Sequence, residues 1–348
     1  MAVHQRPGVY SDYEVSSVYS GIQGAGTVAV AAMDDADARV YTVHSAAEAA
    51  EVFDTAGDLY GLAVTAIQNG AGTVEAYPVQ TATTAGYQAA FSALLGRKTA
   101  RFIVCDSPEG TVQAALGEAL DAAAQEQNEC IGLVGMAEPT ATQLTQRAAL
   151  LNRERLVLAG PDCCLTGQTE TAGGWYLAAA MAGFLAAQTD PAAPLNGAEL
   201  AGIGSISDSY TENQLDTLIL GGVTVAESVD GTASVIRAVT TRTTTGGVAD
   251  GAWRELSTVL IVDTVIPALR RRLAARFARS RNNAATRSAI RAQVVLELTD
   301  RVKREQIERF ENLTVETNSQ DPTICDVAFD FTVVYGLSRI CVTAHITV

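Results

Sequence analysis

At 348 residues, with 48% hydrophobic and 18% charged side chains, the chain can bury a sizeable core and is not a disordered polymer. Its 24 basic and 39 acidic residues give a net charge of −15, which favours solubility and argues against general nucleic-acid affinity. Six cysteines with no CxxC pair argue against a disulfide scaffold, and three isolated histidines argue against a histidine metal centre.

The first residues, "MAVHQRPGVYSDYEVSSVYS", lack the apolar core of a secretory signal, so the chain is expected to be made in the cytoplasm. They read as an extended arm. "GTVAVAAM" (Gly26–Met33) is a short apolar strand, and "SAAEAAEVF" reads as a helix opened by Ser45 with Glu48 three residues on.

Beyond Ala100 strands and helices alternate. "RFIVCD", "CIGLVGM" and "RLVLAGPD" are buried strands; "PEGTVQAALGEALDAAAQEQ" and "TATQLTQRAALLN" are amphipathic helices. That order implies a largely parallel sheet covered on both faces. "WYLAAAMAGFLAA" (Trp175–Ala187) is too short to span a bilayer and reads as a buried helix. "QTDPAAPLNG", with Pro191 and Pro194, is an exposed connection. "QLDTLILGGVTVAESVDGTASVIRAVTTRTT" reads as a helix, a Gly-Gly stop and two strands turning at Asp230-Gly231. After Gly246-Gly247 comes an arginine-rich region, then a long helix "AIRAQVVLELTDRVKREQIERF" (Ala289–Phe310) and closing strands.

The usual catalytic motifs are missing. "GIQGAG" (Gly21–Gly26) reverses the dinucleotide fingerprint, "GAGT" and "GIGS" lack a phosphate-loop lysine, and Ser205 follows the wrong glycine for a nucleophile elbow. Asp34, Asp35 and Asp37 read as a solvated loop, and Cys163-Cys164 as inert thiols with no cation nearby to activate them. No catalytic residue, cofactor or metal site is assigned.

Two features carry information instead. Between Thr264 and Leu296 stand eight arginines and no acid, leaving 16 basic against 39 acidic residues elsewhere, a balance of −23. On a helix, Ile266, Leu269, Leu273 and Phe277 would face inward while Arg270, Arg271, Arg272, Arg276, Arg279 and Arg281 crowd the rest. Such a helix needs acid from elsewhere: nucleic acid, the same or a neighbouring chain, or another acidic protein. The second feature is the end of the chain. "RICVTAHITV" alternates strictly, as does "DVAFDFTVVY" through Val327, Phe329, Phe331 and Val333. A terminal strand with an apolar face must be paired, either in its own sheet or by completing a neighbour's.

The chain resembles the tail sheath proteins of contractile-tailed phages and related contractile injection machines. The resemblance rests on the order and spacing of "RPGVY" (Arg6–Tyr10), "AAAMAGFLAAQTDPAAPLNG" (Ala178–Gly197), "IRAVTTRTTTGG" (Ile236–Gly247), "WRELSTVLIVDTV" (Trp253–Val265) and "VTAHITV" (Val342–Val348). It implies a mixed α/β and α+β fold. An N-terminal arm covers 1–20, a layered α/β sheath domain 21–235, an inner C-terminal α+β domain 236–325 and a C-terminal strand arm 326–348. It also implies stacked hexameric rings around a tail tube, contracting to drive the tube through a cell envelope. Partners would be further copies of the chain, the tube, the baseplate and the tail terminator, with no direct nucleic-acid or membrane contact. The particle would be a virion tail assembled in the host bacterial cytoplasm. Strand exchange between subunits would use Val9, Tyr10, Tyr13 and Val15 at one end and Ile340, Val342, Ala344, Ile346 and Val348 at the other. The six arginines named above would face the tube. The region Gly21–Leu95 leaves little room for an outward insert domain, and Cys325 or Cys341 could crosslink subunits. The rival classes are an α/β metabolic enzyme, which lacks a visible site, and a nucleic-acid binder, which the acidic remainder opposes.

Overall fold

A computed structural model describes residues 26–337 apart from 208, 209 and 230. The chain begins with β1 (Thr27–Met33), β2 (Tyr41–Val43) and α1 (Ala46–Ala50). Ser45 caps α1 as its sequence suggests, Oγ accepting from the Glu48 amide at 3.2 Å. The Glu48 carboxylate reaches back to accept from the His44 amide at 2.8 Å. There follow α2 (Asp58–Gln68), β3 (Thr73–Val79), α3 (Thr84–Gly96), β4 (Ala100–Cys105), α4 (Gly110–Gln125), β5 (Ile131–Val134), α5 (Ala141–Leu151) and β6 (Leu156–Gly160). A small sheet of β7 (Cys163–Leu165), β8 (Thr171–Ala172) and β9 (Ile203–Ile206) encloses α6 (Trp175–Ala187) in sequence. Then come α7 (Glu212–Leu220), β10 (Val223–Val229) and β11 (Thr232–Arg237), the hairpin that the Asp-Gly signal announces, with Gly231 at φ +83°. Asp230 itself lies outside the described residues.

The main sheet has the order β11-β10-β6-β5-β4-β1-β3-β2. Its six central strands are parallel and only the edges, β11 and β2, run antiparallel. Strand residues therefore feed two cores. Val28, Val30 and Ala32 join α1, α2 and α6 on one face; Ala29 and Ala31 join α3, α4, α5 and α7 on the other. The apolar run predicted to be a buried helix is α6, with Ala178–Ala182 fully buried. Its small residues let α2 approach closely: a Cβ on Gly183 would stand 2.2 Å from the Ala66 carbonyl oxygen. No helix among the described residues is long and apolar enough to cross a membrane.

The C-terminal part starts with a two-residue-strand hairpin, β12 (Thr244–Thr245) and β13 (Val248–Ala249), turning through Gly246 and Gly247 at φ +58° and +80°. Then come α8 (Leu256–Phe277), α9 (Ala284–Lys303), β14 (Ile307–Thr317) and β15 (Cys325–Val333). β14 and β15 form an antiparallel pair whose Phe310, Leu313, Val327, Phe329, Phe331 and Val333 pack towards a third core of Ile261, Val265, Leu269, Val294, Leu298 and Ile307. Helix α8 belongs to two cores, since Leu256, Val259 and Leu260 are buried with the main body.

The long helix expected to run to Phe310 stops at Lys303. Glu305 takes a left-handed conformation (φ +58°) and the Gln306 amide turns back to the Arg301 carbonyl at 3.1 Å, so Ile307 onwards is strand.

Candidate functional site

The arginine helix sits across the amino ends of β4, β5 and β6. Three polar contacts fix it there: Arg101 Nη2 to Thr264 Oγ1 at 3.5 Å, Arg155 Nη2 to Asp263 Oδ1 at 2.6 Å, and Arg270 Nη1 to Glu129 Oε1 at 3.0 Å. The Asp263 side chain is only 5% exposed, and its burial pushes the carboxyl up to about 6 despite the Arg155 guanidinium. Of the residues expected to face inward, Leu269 is buried, while Ile266, Leu273 and Phe277 are half-buried.

The six arginines divide into two groups. Arg270 is turned to the body and Glu129. Arg272 reaches Glu297 of α9, Nη1 to Oε2 at 2.6 Å, and Arg276 donates to Gln293 of the same helix. Glu297 is 0% exposed and also takes both Nε and Nη2 of Arg301, at 3.1 and 2.8 Å, with Arg301 passing on to Gln306 at 2.9 Å. A buried carboxylate between two guanidiniums offsets its desolvation only because both stay in place. The remaining three, Arg271, Arg279 and Arg281, are exposed and form no ion pair among the described residues. Arg271 donates only to the Pro267 carbonyl, at 3.4 Å. Two of the six are thus neutralised by acids 141 and 25 residues away in sequence, and Arg276 is held by an amide, none of which the local pattern could reveal.

The arm residues Val9, Tyr10, Tyr13, Val15, Ile340, Val342, Ala344, Ile346 and Val348, together with Cys341, lie outside the described residues. Cys325, at the start of β15, is a free thiol.

The place where a doubly wound enzyme would hold its ligand is the crevice between β1 and β4, where the strand order reverses. Here Asp106 bridges the two strand ends, accepting from the Met33 amide at 2.8 Å and from the Tyr87 hydroxyl. Burial pushes its carboxyl up to about 6, with a smaller contribution from nearby Asp58. Beside it the Tyr176 hydroxyl donates to Asp58 Oδ1 at 2.8 Å. Both oxygens of Asp106 are used in holding loops together, so the pair is a brace. Burial pushes the Cys163 thiol up to about 12. Among the described residues no cluster of His, Cys, Asp and Glu could hold a metal ion.

The doubly wound body is thus joined to a two-helix unit that displays three arginines with no ion pair among the described residues. Sequence comparison identifies the family. The phage tail sheath protein central domain matches residues 80–241, and the phage tail sheath C-terminal domain matches residues 248–347. The chain therefore belongs to the phage tail sheath family, as a structural sheath subunit and not an enzyme.

Solved structures share the fold across almost the whole chain. A chain of the six-fold symmetrised anti-feeding prophage baseplate matches with TM-score 0.74 and 16% identity, over 99% of this chain and 100% of that one. A chain of the sheath complex of an extracellular contractile injection system, PVC, in the contracted state matches with TM-score 0.71 and 14% identity, over 99% and 98%. The sheath tail protein of Desulfitobacterium hafniense matches with TM-score 0.70 and 11% identity, over 94% and 100%. No curated protein matches the chain in sequence.

Proposed function

We propose that copies of this chain stack as hexameric rings around a tail tube, exchange their terminal strands with neighbouring copies, and contract to drive the tube through a cell envelope. The sleeve would be part of a phage tail or injection particle assembled in a bacterial cytoplasm, bounded by a baseplate at one end and a terminator at the other. Similar chains in contracted sheaths and in a baseplate support this reading. In it, 1–20 and the residues after β15 act as arms, 21–235 as the sheath body and 236 to the end of β15 as the inner unit, because β15 pairs with β14 of its own chain, so the arm expected from 326 begins later. The long form persists behind a kinetic barrier and not because it is lowest in energy.

The observation that carries the tube contact is the division of the arginines. Arg270, Arg272 and Arg276 serve the subunit's own fold, leaving Arg271, Arg279 and Arg281 free to meet acidic groups on a tube. Each exposed pair contributes about 0–1 kcal/mol, weak enough to be broken everywhere during contraction. The test is the triple variant Arg271→Glu/Arg279→Glu/Arg281→Glu, mixed with the tube protein and viewed by electron microscopy. The monomer should melt as wild type while tube decoration is lost; normal decoration would sink the assignment. Arg272→Glu serves as the contrast, since it drives two carboxylates together at Glu297 and should unfold the C-terminal unit.

A further inference from the structure

Helix α6 starts just past the carboxyl end of β5, where the Gly174 amide donates to the Met136 carbonyl at 2.8 Å. This is the end of the main sheet opposite α8, which crosses the amino ends. Between the starts of α6 and α2 and the β7–β8 turn lies a cavity of about 510 Å³. Small-molecule sites run from about 300 to about 1,000 Å³. The sheath assignment gives this cavity no role.

Its wall carries three aromatic rings, Tyr60, Trp175 and Tyr176, and one charged group, Asp58. No lysine, arginine or histidine lines it. Tyr176 is buried and donates its hydroxyl to Asp58 Oδ1 at 2.8 Å. Gly61 makes that contact possible, since a Cβ there would collide with the Tyr176 hydroxyl. The carboxylate is therefore held from one side, while Oδ2 has no partner among the described residues. Trp175 is half-buried, and its Nε1 is sealed from solvent without a hydrogen-bond partner. The indole thus offers the cavity carbon surface and π electrons, not a donor. Thr65 spends its hydroxyl on the Gly61 carbonyl at 2.8 Å. An anion would be repelled by Asp58. A neutral polyol could use the amides of Gln68 and Gln168 but would gain nothing from the charge. An organic cation gains from Oδ2 and from the negative ring faces at once.

We propose that this cavity binds an organic cation, an ammonium or guanidinium group on an alkyl chain, with Asp58 as its counter-ion and Tyr60, Trp175 and Tyr176 around the chain. The cation is either a free amine or a lysine or arginine side chain of another copy, and the recognition is the same for both.

The chain has two tryptophans, so Trp253→Phe leaves Trp175 as the sole reporter. Its emission is followed in the full-length chain at constant ionic strength while butylammonium, butylguanidinium, 1-butanol or glucose is added. Both cations should change the emission saturably, and the two neutral compounds should not. Asp58→Asn, which keeps an acceptor for Tyr176, should weaken both cations about tenfold or more. Tyr60→Leu keeps the carboxylate, removes one ring and should weaken them as well. Three results overturn the site: no saturable change with either cation, neutral compounds binding as well as the cations, or affinities unmoved by either substitution. Sedimentation of wild type and Asp58→Asn at equal concentration then names the source. A smaller assembly for the variant assigns the cation to a side chain of another copy; equal masses assign it to a free amine.

Discussion

Asp106 shows how a residue can be placed against its own preference. Burial favours the neutral acid, so its carboxyl titrates at about 6 in the folded chain against about 3.9 when unfolded. Between about pH 4 and about pH 6 the folded state therefore holds more proton than the unfolded one. Stability falls as pH rises through that window and stays lower above it, by about 2–3 kcal/mol for this one group. Asp263, also raised to about 6, adds a loss of the same sign. Asp106→Asn keeps an acceptor for the Met33 amide and a polar partner for Tyr87 while removing the charge. Urea midpoints measured from pH 4 to pH 7 should then fall less steeply for the variant than for wild type. Equal slopes would place the titrating carboxyl elsewhere.

At the scale of elements, α8 is the joint of the molecule: its first turns are buried in the body, its later ones in the C-terminal core. Pro267 stands inside it. With no amide to offer, Pro267 leaves the Asp263 carbonyl without its helical partner, at a cost of up to about 3 kcal/mol. Pro267→Ala should raise the melting temperature, measured by calorimetry. An unchanged or lower value would mean that the proline's backbone setting is what lets α8 satisfy both Arg155 and Glu129. The elements that were legible in the sequence are those whose pattern is local. The β4-α4-β5-α5-β6 run alternates clean apolar strands with amphipathic helices, and α6 is a single apolar run. What was not legible depends on distant partners. Strand β3 carries Pro78 and Glu75 within its buried course, and Glu75 is acceptable only because Arg97 and Thr99 meet it at 2.8 and 2.7 Å. The turn after α9 has neither glycine nor proline to announce it, only Glu305 in a left-handed setting. The arginine cluster stood out in the sequence, but not its division, because Glu129 and Glu297 reach it only through the fold.

Across the whole molecule, charge is partitioned: +8 between Thr264 and Leu296, −23 elsewhere. Sheath bodies that pack side by side repel through their acidic surfaces. Salt should therefore favour self-assembly by screening the repulsion. Tube binding through Arg271, Arg279 and Arg281 is an attraction between exposed charges, and salt should weaken it. From about 0.01 M to about 1 M salt the screening length falls from about 30 Å to about 3 Å, a range over which both effects are fully expressed. Sedimentation without tube should show more polymer as salt rises, and co-sedimentation with tube should show less sheath bound per tube. If polymer without tube also declines with salt, ion pairs hold the copies together. If decoration of the tube ignores salt, the free arginines are not what grips it, and the inward face of the subunit must be sought on another element.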